Sequence, residues 1–124
     1  MIAVKIIAHT RFLLSSYYSG RVNLWDMDTG ETIRIFKGPK SGVMALEVSP
    51  DRSLLATACY DGCLRVWRMD TAVPLAQFTA DSPLLACTFS SDGKTIVAGD
   101  LTGRVLFLAL KMDSRRPSPS QLQI

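Results

Sequence analysis

The sequence predicts an all-β fold assembled from nearly three copies of one four-stranded unit. The first sign is self-similarity at a fixed spacing. Shifting residues 43–71 forward by 41 positions sets Gly62 on Gly103, Asp51 on Asp92 and Val48 on Phe89 without a gap. Shifting them back by 42 sets Gly62 on Gly20, Trp67 on Trp25 and Tyr60 on Tyr18. Repetition in this range signals stacked units that bury one another's faces. The second sign is local: apolar runs of strand length alternate with residues that favour turns. The third is bulk composition. With 124 residues, 48% hydrophobic and 20% charged, the chain suits one folded domain rather than a disordered segment.

The first unit spans residues 1–37, with strands predicted at 2–7, 12–17, 21–26 and 32–36. His9-Thr10-Arg11 takes the place that Asp51-Arg52-Ser53 takes in the central copy, and Met27-Asp28-Thr29-Gly30 forms the next turn. The second unit, 38–79, is the most complete. Its strands fall at 43–48, 54–59, 63–68 and 74–78. Ser49-Pro50-Asp51-Arg52 breaks the first pair, because Pro presets φ and Asp bonds its own backbone. Asp61-Gly62 is a strong hairpin signal between the next two runs. The third unit, 80–110, is worn. Strands are expected at 84–89, 95–100 and 104–110, Leu108 stands where the Trp was and Thr102 where the turn Asp was, and no fourth strand follows. Residues 111–124, KMDSRRPSPSQLQI, read as a disordered basic Ser/Pro tail.

In this register the residues resemble the WD-repeat β-propeller family. Its marks are Trp25-Asp26 with Thr29-Gly30, Ser49-Pro50-Asp51, and the Tyr60-Asp61-Gly62 turn before Val66-Trp67. The likeness covers roughly residues 1–110 and implies a partial β-propeller: two full four-stranded blades plus a third lacking its outer strand. The family's Gly-His pair is missing from the linker 37–42, where Pro39 follows Gly38, and from the linker around Ala80-Asp81. In the family that histidine joins a buried hydrogen-bonded set; here Thr57, Asp61 and Trp67 would be the survivors. A half-satisfied network is costly, so Asp61 is expected to turn to water or backbone. Propellers close with about four to eight blades. The resemblance therefore implies the C-terminal part of a larger ring, or a chain that completes one with other copies. The ending from Gly99-Asp100 to Leu108 is also similar to the last blade of sensor propellers fused to NACHT-type nucleotide switches. On that likeness the switch lies upstream, and no ATP chemistry follows for this chain.

Catalytic and cofactor signals are weak. His9, the one histidine, has no acid or cysteine at ligand or triad spacing and reads as a solvated turn residue. Cys59, Cys63 and Cys87 lack a histidine partner, and core packing explains them best. Their odd count gives no disulfide framework and fits a reducing compartment, so a cytoplasmic location is expected, with the nucleus also open. Gly93-Lys94-Thr95 mimics the end of a phosphate loop, but Thr88 stands where that motif needs glycine. The expectation is a chain without catalytic residues, cofactor or metal. No apolar run reaches the 18 residues of a membrane span, and Met1-Ile2-Ala3-Val4-Lys5 shows no secretory signal.

The net charge is +3, and residues 111–124 hold Lys111, Arg115 and Arg116 against Asp113. The repeats are thus near neutral, and the pI of 8.9 reflects the tail. This disfavours a nucleic-acid partner, although a nucleic-acid-associated subunit using the tail is the alternative reading, and a truncated product without autonomous function a third. Ser118, after Arg115-Arg116-Pro117, is a candidate phosphosite. Strand direction also places the b–c turns and d–a linkers on one rim. That rim carries Tyr17, Tyr18, Lys37, Lys40, Tyr60, Asp61 and Asp81. Tyrosines among charges suit a protein-binding edge, since Tyr offers large area at low entropic cost. The leading expectation is a non-catalytic scaffold for protein–protein interaction.

Overall fold

The computed structural model describes residues 2–112 and 122–123. Three antiparallel sheets follow one another along the chain. The first holds β1 (Ala3–Ile6), β2 (Phe12–Ser16), β3 (Arg21–Asp26) and β4 (Thr32–Lys37), in that spatial order. The second holds β5 (Val43–Val48), β6 (Leu54–Cys59), β7 (Cys63–Arg68) and β8 (Pro74–Thr79), also in sequence order. The third has three strands, β9 (Leu84–Phe89), β10 (Thr95–Asp100) and β11 (Val105–Ala109). The predicted strands at 21–26, 43–48, 54–59, 63–68, 84–89 and 95–100 match observed ones end to end, and the rest differ by a residue or two.

The sheets stack face to face, so the central one is buried on both sides. Along β6, Leu55 and Cys59 join a cluster with Leu14, Val22, Leu24 and Phe36 of the first sheet. The alternate residues Ala56 and Ala58 pack with Leu84, Ile96 and Ala98 of the third. Strand period two sends successive side chains to opposite neighbours, which is why an unbroken apolar run fits here. Both four-stranded sheets carry a register shift just before their tryptophan, at Leu24/Trp25 and Val66/Trp67. Pro74 opens the outermost strand β8, where its missing N–H costs the ladder little.

The two ends of the stack expose apolar faces. On the first sheet Val4, Ile6, Ile33 and Ile35 face outward, Ile6 being 59% exposed. On the third sheet Val105 and Phe107 do, Phe107 being 73% exposed.

Of residues 111–124, expected as a disordered tail, only 111–112 and 122–123 are described. Lys111–Met112 (β12) pairs antiparallel with Leu122–Gln123 (β13), and β13 runs beside β8. A two-residue ladder needs only backbone hydrogen bonds, which composition does not report. Arg115, Arg116 and the candidate phosphosite Ser118 lie outside the described residues.

Candidate functional site

The loops between strands two and three of each sheet fold onto the linkers between sheets. Val43 N donates to the Tyr17 carbonyl at 3.2 Å and Gly38 N to the Gly20 carbonyl at 3.0 Å. One sheet further on, Tyr60 N donates to the Gly42 carbonyl at 2.9 Å, Ala80 N to the Gly62 carbonyl at 2.8 Å and Asp61 N to Ser41 Oγ at 3.0 Å. These bonds collect Tyr18, Lys37, Lys40, Tyr60, Asp61 and Asp81 along one edge, all with exposed side chains. Tyr18 is 71% exposed and Tyr60 52%. Tyr17 is placed differently. Its ring lies 4.7 Å from the Arg21 guanidinium and its hydroxyl accepts from Ser15 Oγ at 3.1 Å. It lines a cavity with Val4, Leu13 and Trp25 on the outer face of the first sheet, away from the edge.

The structural residues divide into two groups. Trp67 Nε1 donates to Thr57 Oγ1 at 3.1 Å in a buried setting, and Trp67 meets Phe36 edge-on with ring centroids 5.9 Å apart. The same pairing recurs in the first sheet, where Trp25 Nε1 donates to Ser15 Oγ at 2.8 Å. Asp61 stays outside the Trp67–Thr57 pair. Its carboxylate accepts from the backbone Cys63 N at 3.0 Å and also lies 3.7 Å from the Arg65 side chain, a partner the sequence did not indicate. Asp26 clamps its own turn by accepting from Asp28 N at 2.9 Å, and Arg11 reaches it at 3.0 Å from the neighbouring turn.

The remaining candidates behave as packing or turn residues. Burial pushes the Cys59 thiol up to about 11 and the Cys87 thiol to about 12, and raises Cys63 as well. Such thiols stay protonated and unreactive at neutral pH. His9 is an exposed turn residue with φ of 63°. In the Gly93-Lys94-Thr95 turn the acceptor is Asp92, whose carboxylate takes Lys94 N at 2.9 Å.

Two features were not read from sequence. Asp100 closes the turn after β10 by accepting from Thr102 Oγ1 at 2.7 Å, Arg104 N at 2.9 Å and Arg104 Nε at 2.8 Å. The Thr102 hydroxyl is the main cause, with Arg104 assisting, and the carboxyl is held down at about 2. It supplies from the end of a strand the carboxylate that Asp61 supplies within the turn. The second feature is a cavity of about 510 Å³ between the first and second sheets, on the edge opposite the tyrosines. Arg34, Arg52 and Arg68 all line it, from three separate stretches of chain, so no local pattern announces it.

Comparison with known proteins agrees with this geometry. Residues 30–68 match the model of the WD domain, G-beta repeat. That match runs from β4 of the first sheet through β7 of the second, so one sequence repeat straddles two sheets. A WD repeat-containing protein, SL1-17, from Schistosoma mansoni is 26% identical over 92% of this chain and 38% of its own length. Telomerase protein component 1 of Rattus norvegicus is 30% identical over 77% of this chain and 4% of its own length. Among solved structures, the β-propeller domain of Cps50 (Swd1) from Myceliophteria thermophila superposes with a TM-score of 0.80 at 18% identity, covering 94% of this chain and 36% of that one. The WD40 β-propeller domain of Doa1 gives 0.79 at 20% identity, covering 94% and 38%. The chain spans well under half the length of these proteins. Three stacked antiparallel sheets, a tryptophan on the third strand of the first two and these likenesses together place the chain in the WD-repeat β-propeller family.

Proposed function

We propose that this chain supplies blades to a non-catalytic propeller scaffold that binds other proteins, and that its two open faces are covered by further blades or other copies of itself. WD-repeat propellers are typically protein-interaction platforms and generally non-catalytic, which supports the first half. The observation that carries the second half is the pair of exposed apolar end faces, marked by Ile6 and Phe107. A buried side chain of this size contributes about 1.5–3 kcal/mol, so leaving a whole face wet is expensive. The recognition edge is the one that carries Tyr18 and Tyr60, with Lys37, Lys40 and Asp81 around them.

Replacing Tyr18 and Tyr60 together with Ala tests that edge. Both side chains are exposed, so folding should survive while capture of partner proteins from a cell extract falls several-fold. Undiminished capture by a folded double variant would remove the edge from the proposal.

A further inference from the structure

The cavity between the first and second sheets is formed wholly within this chain, so it does not depend on how the ring is completed. Its floor is apolar, made by Ile7, Phe12, Leu24 and Met69. Its mouth is basic. Arg34 Nη1 donates to the Met69 carbonyl at 3.0 Å and Arg52 Nη2 to the Ala8 carbonyl at 3.1 Å, each bond crossing between sheets. Neither guanidinium has a carboxylate within ion-pair distance among the described residues. Arg68 is paired with Asp70 at 2.8 Å, and among the described residues Asp70 is the one acid lining the cavity. Three positive charges thus face one negative charge around an apolar slot. Each guanidinium carries five N–H donors, so Arg34 and Arg52 keep several for a ligand. Arg52 also holds a left-handed backbone, φ 65°, at a turn where Gly93 stands in the next sheet. Glycine would hold this backbone with less strain.

We propose that this cavity is a docking site for an acidic peptide segment, which inserts one apolar side chain between the sheets and sets its carboxylates against Arg34 and Arg52. The inference rests on the protein-binding reading above but names a different edge and a ligand chemistry. Charge complementarity selects the acidic residues, and the apolar floor selects a peptide over a bare polyanion.

The test uses a fluorescein-labelled glutamate-rich peptide with one central phenylalanine, titrated against the full chain and followed by anisotropy. Saturable binding is expected. It should weaken about tenfold when the peptide's phenylalanine becomes alanine, and should weaken with added salt. Arg52→Glu should weaken it about tenfold or more. Arg52→Gly relaxes the backbone and removes the charge, so it should keep or raise the denaturation midpoint and still bind several-fold more weakly. The Tyr18→Ala/Tyr60→Ala variant should bind the peptide as the parent does, which separates this site from the opposite edge. Absence of saturable binding, indifference to Arg52→Gly, or equal binding of a phosphate-only polyanion with no effect of the phenylalanine would each overturn the proposal.

Discussion

Trp67 and Trp25 stand at equivalent positions and make equivalent hydrogen bonds, yet their surroundings differ. Trp67 is 4% exposed beneath the first sheet, while Trp25 is half-buried on an open face. Thr57→Val keeps the shape of the side chain but leaves the buried Trp67 N–H without an acceptor. The expected cost is about 1–3 kcal/mol, read as a fall in the urea midpoint. Ser15→Ala should cost less, because solvent reaches the Trp25 ring. The carboxylates of the turns make a second residue-scale prediction. Asp100 is held at about 2, mainly by the Thr102 hydroxyl, against about 3.9 for an unfolded aspartate. Its contribution is therefore present above about pH 4 and is lost as pH falls toward 2. Asp51 is lowered chiefly by Ser53 and Asp92 chiefly by Ser90, and both act in the same direction. Asp100→Asn should flatten the acid limb of a stability–pH curve below pH 4. An unchanged limb would mean that other groups govern acid unfolding.

At the scale of elements, the hairpin turn is where sequence and packing meet. Gly62 has φ of 88°, and a Cβ there would lie 2.7 Å from the Ala80 carbonyl oxygen. Gly20 meets the Pro39 carbonyl in the same way. Both turns press backbone against the linker that leads into the next sheet. Gly103 shares the left-handed conformation, φ 93°, but has open space around it among the described residues. Gly62→Ala should therefore cost clearly more than Gly103→Ala. The latter bears only the strain of the left-handed backbone, about 1–2 kcal/mol. Urea midpoints at one protein concentration decide the order. The turn pair Asp61-Gly62 was legible in the sequence; the reason for the glycine, a linker carbonyl some twenty residues away, was not.

The whole molecule is a stack with unlike ends. Among the described residues, the outward faces of the first and third sheets carry exposed apolar side chains such as Ile6 and Phe107. Purified chain should sediment as an associated species at moderate concentration, and Phe107→Glu should shift it toward smaller species by charging one open face. A cooperatively melting, compact monomer would contradict the need for covering blades. The edge proposed for recognition was readable as an edge because strand direction alone decides which turns share a rim. Tyr17 escaped that reasoning, since its backbone belongs to the edge while its side chain turns onto a sheet face. The basic cavity escaped it altogether, since Arg34, Arg52 and Arg68 come from a strand, a turn and another strand's end.

The sequence by itself determined the repeat, the strand boundaries and the residues of the hairpin turns, because these depend on period-two alternation and on local backbone preference. Only the tertiary structure decided which carboxylate closes each turn, why the linkers require glycine against them, and where the arginines gather. Those outcomes depend on how one sheet is set against the next, and contacts between residues far apart in the chain leave no periodic trace along it.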